Sequence, residues 1–457
     1  MTLDPHPNLT PSVIFGLGWL YLIQLVMNVF WTARSLKKDG HHDLPALFGG
    51  MPVPYATWWG LYTAVLSMVT FAHLTGSSTP EHFPIGMPDF IKPIIDYAVA
   101  KPVLYFAISM AAYVGVIRFR RIVATPTAGW LILNGALLFL TLSMADYDFR
   151  QIVGKPDNVP IVGMLFIVGF FTWLYFARAN ENDRRIAEGR PVVEAEGNEK
   201  VLTWPDLVYT ELVCMIALTA FLFVWGVCLQ APLEEPASSV KTPNPSKAPW
   251  YFLGLQEMLV YYDPWLAGVV FPSVILGGLM ALPYIDFNKK GNGYYTFNER
   301  KFSVVVFMFG FLPLWVGMII LGTFLRGPNW NMFGIYEFWD VHKLEALNNV
   351  DLSEYFWYGI NMSRPMPNNE MGYVQYAGTI LLREWLGIVL TLVYLFVAPS
   401  VLAATVFRSF ALRMGFIRFM VFANLVLMMA ALPIKMVLRW TIQLKYIIGI
   451  PEWFFNV

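Results

Sequence analysis

The residues with the clearest chemical potential lie in one polar loop between two apolar segments, in the stretch KAPWYFLGLQE. Trp250 and Tyr251 follow Pro249, and Glu257 ends the apolar run behind them. Trp and Tyr beside a membrane span usually anchor it at the lipid–water interface, whereas a carboxylate among apolar groups can accept a proton. If the run LGLQEML is helical, Glu257 projects about 240° around the axis from Tyr251, at about 100° per residue. The loop therefore combines an aromatic surface with a separate candidate proton acceptor.

This loop belongs to a chain that is too apolar to be a soluble domain. Of its 457 residues, 57% are hydrophobic, 16% aromatic and only 14% charged, with a mean hydropathy of +0.53, which indicates a polytopic membrane protein. The 31 Lys and Arg residues balance 31 Asp and Glu residues, so no basic field indicates nucleic-acid binding. Cys214 and Cys228 share one apolar run, about 21 Å apart on a helix, which excludes a disulfide between them. A CxxCH motif for c-type haem is absent.

Ten segments are long and apolar enough to predict an all-α membrane bundle. They cover residues 12–33, 54–75, 102–117, 128–145, 159–177, 207–230, 265–285, 302–325, 384–406 and 414–433. Lys and Arg are concentrated in the loops after the first, third, fifth, seventh and ninth segments, which places those loops on the cytoplasmic side. The two longest loops, 231–264 and 326–379, are then on the outer side.

The charged run from 179 to 203 predicts a cytoplasmic linker between two membrane halves. The resulting division is a five-span N-terminal bundle (1–178), the linker (179–203), a domain containing the quoted loop (204–327), an outer loop (328–379) and a C-terminal part (380–457). The C-terminal part contains two further spans and a tail. Lys435, Arg439 and Lys445 would place basic charge outside, so the tail is predicted to be an amphipathic helix in the interface.

The histidines limit what redox cofactor the chain can hold by itself. Only six are present, and His73 is the only one within a predicted span. Two bis-histidine b-type haems need four buried histidines, so this chain is not predicted to be a di-haem cytochrome. A single shared haem on His73 and a histidine in the bundle core remain as alternatives, of which the second is favoured. No metal site is predicted. Asn134 and Asp146 are isolated polar residues at or near span level in the N-terminal half. Asp146 is expected to mark a membrane exit, and the N-terminal half is expected to serve bundle packing or subunit contact.

The stretch PNPSKAPWYFLGLQEMLVYYDPWLAGVV, with the apolar segment before it and ALPYID after it, resembles the C-terminal domain of cytochrome b, which is called subunit IV where it is a separate polypeptide. The similarity covers about residues 201–327. In that family an outer loop with a Pro-Glu-Trp-Tyr motif forms the quinol-oxidation site. The resemblance therefore implies a quinol-binding surface formed by these residues: Pro249, Trp250, Tyr251, Phe252, Leu255 and Met258.

One departure from the family motif affects the chemistry. The sequence reads Ala248-Pro249-Trp250-Tyr251, so a proline stands where the family has its proton-accepting glutamate. Glu257 is the carboxylate that we predict to be catalytic in its place. The alternatives are Asp263, Glu452 in the C-terminal tripeptide Pro-Glu-Trp, or a residue of a partner chain.

The prediction that follows is a haem-free membrane subunit of a bc-type quinol:acceptor oxidoreductase, which forms part of the quinol-oxidation site on the outer side of a bacterial cytoplasmic membrane. The family resemblance implies several partners: a di-haem cytochrome b, and an iron–sulfur protein, a c-type (mono- or multihaem) cytochrome, or both. Membrane lipids complete the surroundings. The alternatives are a scaffold subunit with a degenerate quinol loop, which the missing glutamate favours, and a transporter, which the uninterrupted apolar spans disfavour.

Overall fold

The computed structural model describes residues 9–38, 43–44, 53–76, 85–197, 199–228, 236–345, 348–368 and 370–457, and helices dominate them. The helices of the N-terminal half are α1 (Pro11–Lys38), α2 (Tyr55–Thr75), α3 (Lys92–Ala100), α4 (Pro102–Arg118), α5 (Arg120–Val123), α6 (Pro126–Ser143), α7 (Tyr147–Val153), α8 (Val159–Ala187) and α9 (Val193–Glu196). Two-residue strands β1 (Asp43–Leu44) and β2 (Val53–Pro54) pair antiparallel between α1 and α2. The predicted all-α membrane fold is confirmed.

The C-terminal half continues with helices that are interrupted by π-helical turns. Its α-helices are α10 (Val208–Cys228), α11 (Trp250–Met258), α12 (Phe271–Ile285), α13 (Lys301–Phe309), α14 (Gly317–Ile320), α15 (Leu352–Gly359), α16 (Tyr373–Arg383), α17 (Trp385–Leu392), α18 (Ala398–Ala404), α19 (Arg408–Met414) and α20 (Phe416–Ile442). The π-helical turns cover Thr203–Leu207, Leu266–Val270, Gly310–Val316, Leu321–Leu325 and Val393–Val397, and short 3₁₀ turns cover Pro328–Trp330 and Pro451–Trp453. Pro313 lies inside one π-helical turn, where it cannot donate the helical hydrogen bond.

The number of membrane spans differs from the predicted ten. Helices occupy all ten predicted segments, but among the described residues eight are long and apolar enough to cross a membrane, or nine if α3 and α4 form one span bent by 95°. The bend lies between Ala100 and Pro102, and a residue before proline is disfavoured in helical geometry. Helix α2 is outside the set of eight, since its Trp, Tyr, Thr and His residues lower its hydropathy.

The described loop segments of the C-terminal half meet at two ends of the Lys301–Leu325 helix. At one end the 178–200 and 286–300 segments meet, because the Asp183 carboxylate accepts hydrogen bonds from the backbone N–H groups of Phe297 and Asn298. At the other end the 236–264 part of the predicted outer loop meets the segment after the Lys301–Leu325 helix and the C-terminal tail. Which end faces outward stays a prediction from the Lys and Arg pattern.

The predicted amphipathic tail helix is wrong. Helix α20 continues to Ile442, Gln443 adopts a left-handed conformation, and β3 (Gly449–Ile450) pairs antiparallel with β4 (Phe455–Asn456). Lys435 and Arg439 are buried in α20 and do not face lipid headgroups. Lys435 donates a hydrogen bond to the Val457 carbonyl oxygen, and Arg439 donates one to the Asn348 carbonyl oxygen. These two charges had suggested an interfacial helix, but they are accommodated inside the protein by these hydrogen bonds.

Candidate functional site

Helix α11 positions the predicted site and divides its residues between two faces. Leu253, Gly254, Glu257 and Met258 are buried on one face, and Trp250, Tyr251 and Phe252 lie on the exposed side. The helix begins directly after Pro249, whose fixed φ suits the residue before a first turn. A polar residue at the end of an apolar run is thus directed inward, while the large aromatic residues point outward.

The exposed aromatic residues form one continuous surface. Trp250, Tyr251 and Phe252 are 40%, 49% and 51% exposed, and Pro249 beside them is also exposed. The rings of Tyr251 and Phe252 are 4.7 Å apart between centroids, and those of Trp250 and Tyr251 are 5.7 Å apart in a T-shaped arrangement. We call Pro249–Phe252 the aromatic face. Such a surface offers flat apolar contact to a planar ring.

The other two predicted quinol-binding residues do not lie on the aromatic face. Met258 is buried in a core cluster with Tyr262, Leu314 and Met318, and Leu255 packs against the same cluster. They hold α11 against the Lys301–Leu325 helix, and α11 also contacts the π-helical turn at Leu321–Leu325. The six residues predicted to act together therefore comprise an exposed group of four and a packing group of two.

Glu257 lies at the centre of a buried ion-pair cluster. Its carboxylate is fully buried and accepts hydrogen bonds from Arg326 Nε at 3.0 Å and Arg326 Nη2 at 2.7 Å. The Tyr261 hydroxyl donates to the same carboxylate at 3.0 Å, and the Trp330 indole N–H donates at 3.2 Å. Arg326 is only 6% exposed and also donates to the Trp330 carbonyl oxygen. Four donors thus converge on one carboxylate and engage both of its oxygens.

This cluster shifts the titration of its neighbours. Burial by itself would lower the pKa of Arg326, but the Glu257 charge outweighs it and the pKa is raised. Burial, reinforced by the Glu257 charge, raises the pKa of the Tyr261 hydroxyl well above its ordinary value. Arg326 and Trp330 were not among the residues predicted from sequence. The only signal for Arg326 was a single charge directly after a membrane span, and this is also the position of an ordinary interface anchor.

The loop before α11 is tied to the same region by Lys247. Its Nζ donates to the Thr323 carbonyl oxygen at 2.7 Å and lies 4.7 Å from the centre of the Trp339 ring. Burial lowers the pKa of Lys247 to about 7, with repulsion from Lys155 as the next cause. Gln256 closes the loop, because its side chain accepts from the Ala248 N–H and donates to the Ser246 carbonyl oxygen.

The alternative carboxylates also have partners in the structure. Asp263 accepts a hydrogen bond from the Tyr446 hydroxyl at 3.0 Å and contacts the Asn456 amide at 3.5 Å. Burial and the bond to Asp263 raise the pKa of Tyr446 to about 12. Asp263 is partly exposed, in contrast to Glu257, so its carboxylate is closer to solvent.

The glutamate of the C-terminal Pro-Glu-Trp tripeptide, Glu452, is bound by an arginine. Both carboxylate oxygens of Glu452 accept from Arg383, at 2.7 and 2.8 Å. The hydrogen bond from Arg383 lowers the pKa of Glu452. Arg383 is itself buried and binds Glu384 and the Gly449 carbonyl oxygen. Glu452 therefore fastens the tail hairpin to α16.

The histidine and metal predictions can be followed only partly. His73 is buried in α2, with its Nδ1 2.8 Å from the Val69 carbonyl oxygen and its ring 4.6 Å from that of Tyr21. His6, His41, His42 and His82 lie outside the described residues. In the part of the chain that the structure describes, no three His, Cys, Asp or Glu residues form a group that could hold a metal ion.

Comparison with known proteins supports the resemblance for the segment around α11. Residues 236–327 match the family model of cytochrome b(C-terminal)/b6/petD. The match includes the aromatic face, Glu257 and Arg326, and it begins after α10, so the predicted similarity from 201 onward is confirmed only for its larger part. No solved structure matches the chain. Residues 236–327 are thus similar to the C-terminal domain of cytochrome b, in agreement with the resemblance seen in the sequence.

Proposed function

We propose that this chain is a haem-free subunit of a quinol:acceptor oxidoreductase and that its aromatic face forms one wall of the quinol-oxidation site on the outer side of the membrane. The observation that carries the proposal is the position of Pro249–Phe252: exposed, continuous and at the start of a helix inside the matched segment. A quinol head group needs a flat apolar surface at the membrane edge together with polar partners for its two oxygens. The aromatic face supplies the first requirement.

The ion-pair cluster supports this function by holding the wall in place. A binding surface works best when its supporting residues are locked by packing and hydrogen bonds. The Glu257–Arg326 pair joins α11 to the end of the Lys301–Leu325 helix, and Met258 and Leu255 pack between them. The aromatic face therefore rests on a rigid base.

Glu257 remains the predicted proton acceptor within the loop, but its geometry sets a condition. The carboxylate must part from Arg326 before it can take a proton from quinol, since both of its oxygens are occupied. Asp263, which is partly exposed, has no such ion pair among the contacts described above. Pro249 cannot accept a proton, so catalysis requires Glu257, Asp263, Glu452 or a partner residue.

The exposed helices support the proposed partners. No residue of α10 is buried in the described structure, and the Thr203–Cys228 segment is strongly apolar. Helix α12 has a single buried residue, Phe271. In the proposed complex these surfaces contact lipid and a di-haem cytochrome b, with the quinol at the subunit interface. The iron–sulfur or c-type cytochrome partner binds the outer loops.

One experiment tests the proposal. The chain is purified with its native partners, and haem spectra, bound quinone and quinol-dependent reduction of an acceptor are recorded before and after the chain is separated. We expect quinone and turnover in the complex and no b-type haem band in the separated chain. A stoichiometric haem band on the separated chain would refute the haem-free assignment.

A second candidate function is a scaffold with a degenerate quinol loop. Pro249 at the motif position and the Glu257–Arg326 pair favour it, because together they leave the described part of the loop, residues 236–264, without an unengaged carboxylate beside the aromatic face. A scaffold predicts normal turnover after Tyr251→Ala, whereas a quinol wall predicts weaker quinol binding.

A further inference from the structure

Helix α1 has an unusual distribution of polar groups for a membrane helix. Tyr21, Gln24, Asn28 and Ser35 are 1%, 2%, 1% and 5% exposed. Their spacing of three, four and seven residues places them on one face. The exposed positions are apolar: Trp19, Leu20, Ile23, Val26, Val29 and Phe30. The helix therefore directs its polar side chains into the bundle and its apolar ones toward lipid.

Helix α6 presents polar groups to the same interior. Its buried residues are Asn134, Thr141 and Ser143. Asn28 Nδ2 donates to Asn134 Oδ1 at 2.6 Å, and Gln24 Nε2 donates to Thr141 Oγ1 at 3.3 Å. These bonds join residues more than 100 positions apart in sequence. The two helices thus meet through amide and hydroxyl groups rather than through apolar packing.

Helix α2 completes the arrangement. Thr70 and His73 are buried, the His73 ring contacts Tyr21, and the hydroxyls of Thr63 and Thr32 are 3.1 Å apart. We call these polar residues of α1, α2 and α6 the polar column. From Tyr21 to Ser35 it extends about 21 Å along α1, against a hydrocarbon core of about 30 Å.

The polar column has hydrogen-bonding capacity that the described residues do not fill. Trp31 of α1 and Tyr62 of α2 lie beside the column, because Trp31 stacks on Trp130, whose indole N–H donates to Asn28, and Trp59 contacts both Trp31 and Tyr62. Gln24 Oε1, Trp31 Nε1 and the Tyr62 hydroxyl are buried atoms without a hydrogen-bond partner in the described part of the chain. An unfilled polar atom in hydrocarbon is strongly unfavourable, because lipid tails cannot replace water as a hydrogen-bond partner. If the column served only to join the helices, these polar groups would be paired with one another. Buried water, by contrast, occupies sites that offer it several polar partners.

The column also has a continuation beyond the spans. At the end of α6, the hydroxyls of Ser143 and Tyr336 are 2.7 Å apart. The Tyr336 backbone N–H donates to Asp96 Oδ1 at 3.0 Å, and Asp96 is partly exposed. A carboxylate thus lies at the end of the bundle that holds the aromatic face. Ser143 is about 200° around α6 from Thr141, and no hydrogen bond among the described residues joins Ser143 to Thr141 or Gln24, so water would have to bridge this step.

We propose that the polar column is a hydrated proton path through the N-terminal bundle. Internal water occupies the unfilled positions at Gln24, Trp31 and Tyr62 and links the hydroxyl and amide groups. A proton enters as hydronium at one end and an equivalent proton leaves at the other, so no redox partner is needed. Polar and ionisable groups that face a membrane bundle interior mark ion and proton routes in many membrane proteins. This function is independent of the proposed quinol site.

The test uses the intact complex in phosphatidylcholine–phosphatidylglycerol vesicles without quinol. A potassium diffusion potential drives protons, and trapped pyranine reports their entry. We expect faster entry than in protein-free vesicles, and loss of the excess with Gln24→Leu or Asn28→Leu. Ser67→Leu, on the exposed side of α2, is the matched control and should conduct as wild type does. The proposal would be overturned if protons entered vesicles with the wild-type complex no faster than protein-free vesicles, or if proton entry were equally fast with all variants.

A second measurement needs no variant. A brief X-ray pulse in H₂¹⁸O labels aromatic side chains that touch water. Tyr21 and Tyr261 are equally buried, at 1% and 0% exposure, but the Tyr261 hydroxyl is bound to Glu257. We expect ¹⁸O on Tyr21 and none on Tyr261. If Tyr21 stays as unlabelled as Tyr261, the column is dry and only joins the helices.

Discussion

Replacing Glu257 with Gln should destabilise the protein as well as affect turnover. The substitution keeps the shape of the side chain and removes its charge. In the structure, four hydrogen bonds converge on the carboxylate, two of them from Arg326. The amide offers one acceptor oxygen instead of two, and its NH₂ group meets the donors that surround it. Arg326 then remains buried without its counter-charge.

The magnitude follows from that burial. Removing one partner of a buried ion pair costs about 3–5 kcal/mol, which reduces the ratio of folded to unfolded protein by roughly a hundredfold or more. Arg326→Gln should cost a similar amount. The double variant should cost less than the sum of the two, because the second substitution removes a charge that the first left unpaired.

A matched control exists at the other end of the bundle. Arg300 pairs with Asp286, whose side chain is 33% exposed, whereas that of Glu257 is 0% exposed. Exposed pairs contribute about 1 kcal/mol or less, so Asp286→Asn should leave the unfolding midpoint close to that of wild type.

Two readouts on the purified complex separate the roles of Glu257. Detergent-titrated unfolding gives stability, and quinol turnover is measured under conditions where every variant is assembled. A proton acceptor predicts a turnover loss of roughly a hundredfold or more in Glu257→Gln, with turnover retained in Arg326→Gln. A structural anchor predicts that both variants lose stability together. Wild-type stability in Glu257→Gln would refute the ion-pair reasoning. Full turnover with intact assembly would exclude Glu257 from catalysis and direct attention to Asp263, Glu452 or a partner.

Three further predictions concern the same loop and the topology. Tyr251→Ala should raise the KM for quinol by opening the aromatic face, whereas Tyr284→Ala, exposed at the far end of α12, should not; equal KM values would argue for the scaffold. The pKa of Lys247 is lowered to about 7 in the fold from about 10.4 in the unfolded chain, so the unfolded state binds more protons between these values and stability rises with pH there. Between pH 6.5 and pH 9 the unfolding midpoint of the wild type should therefore rise relative to that of Lys247→Met. A difference between the two proteins that stays the same at both pH values would contradict this. In intact cells, an impermeant thiol reagent should label a cysteine at Ser246 and spare one at Asn292; the reverse pattern would invert the topology.

The membrane character of the chain, its helical class and the position of its candidate site could be predicted from sequence because each depends on local properties. Hydropathy over about 20 residues selects spans, and the Lys and Arg pattern predicts which loops share an end of the bundle. The aromatic residues after Pro249 were recognisable because they are adjacent in sequence. Even here local counting had a limit, since α2 is not apolar enough to count as a span and α3 and α4 qualify only together, as a pair bent by 95°.

The chemistry of the polar side chains was decided by tertiary structure. Glu257 and Arg326 are 69 residues apart in sequence, as are Arg383 and Glu452, and no local pattern predicts such pairs. The helical projection of Glu257 away from Tyr251 was predictable, but not that a guanidinium would occupy the space it enters. The same holds for the polar column, because the polar residues of α1 and α6 become a connected group only when the two helices pack together. Burial turns such contacts into strong constraints, since a charge or amide removed from water must find its partners wherever the fold places them.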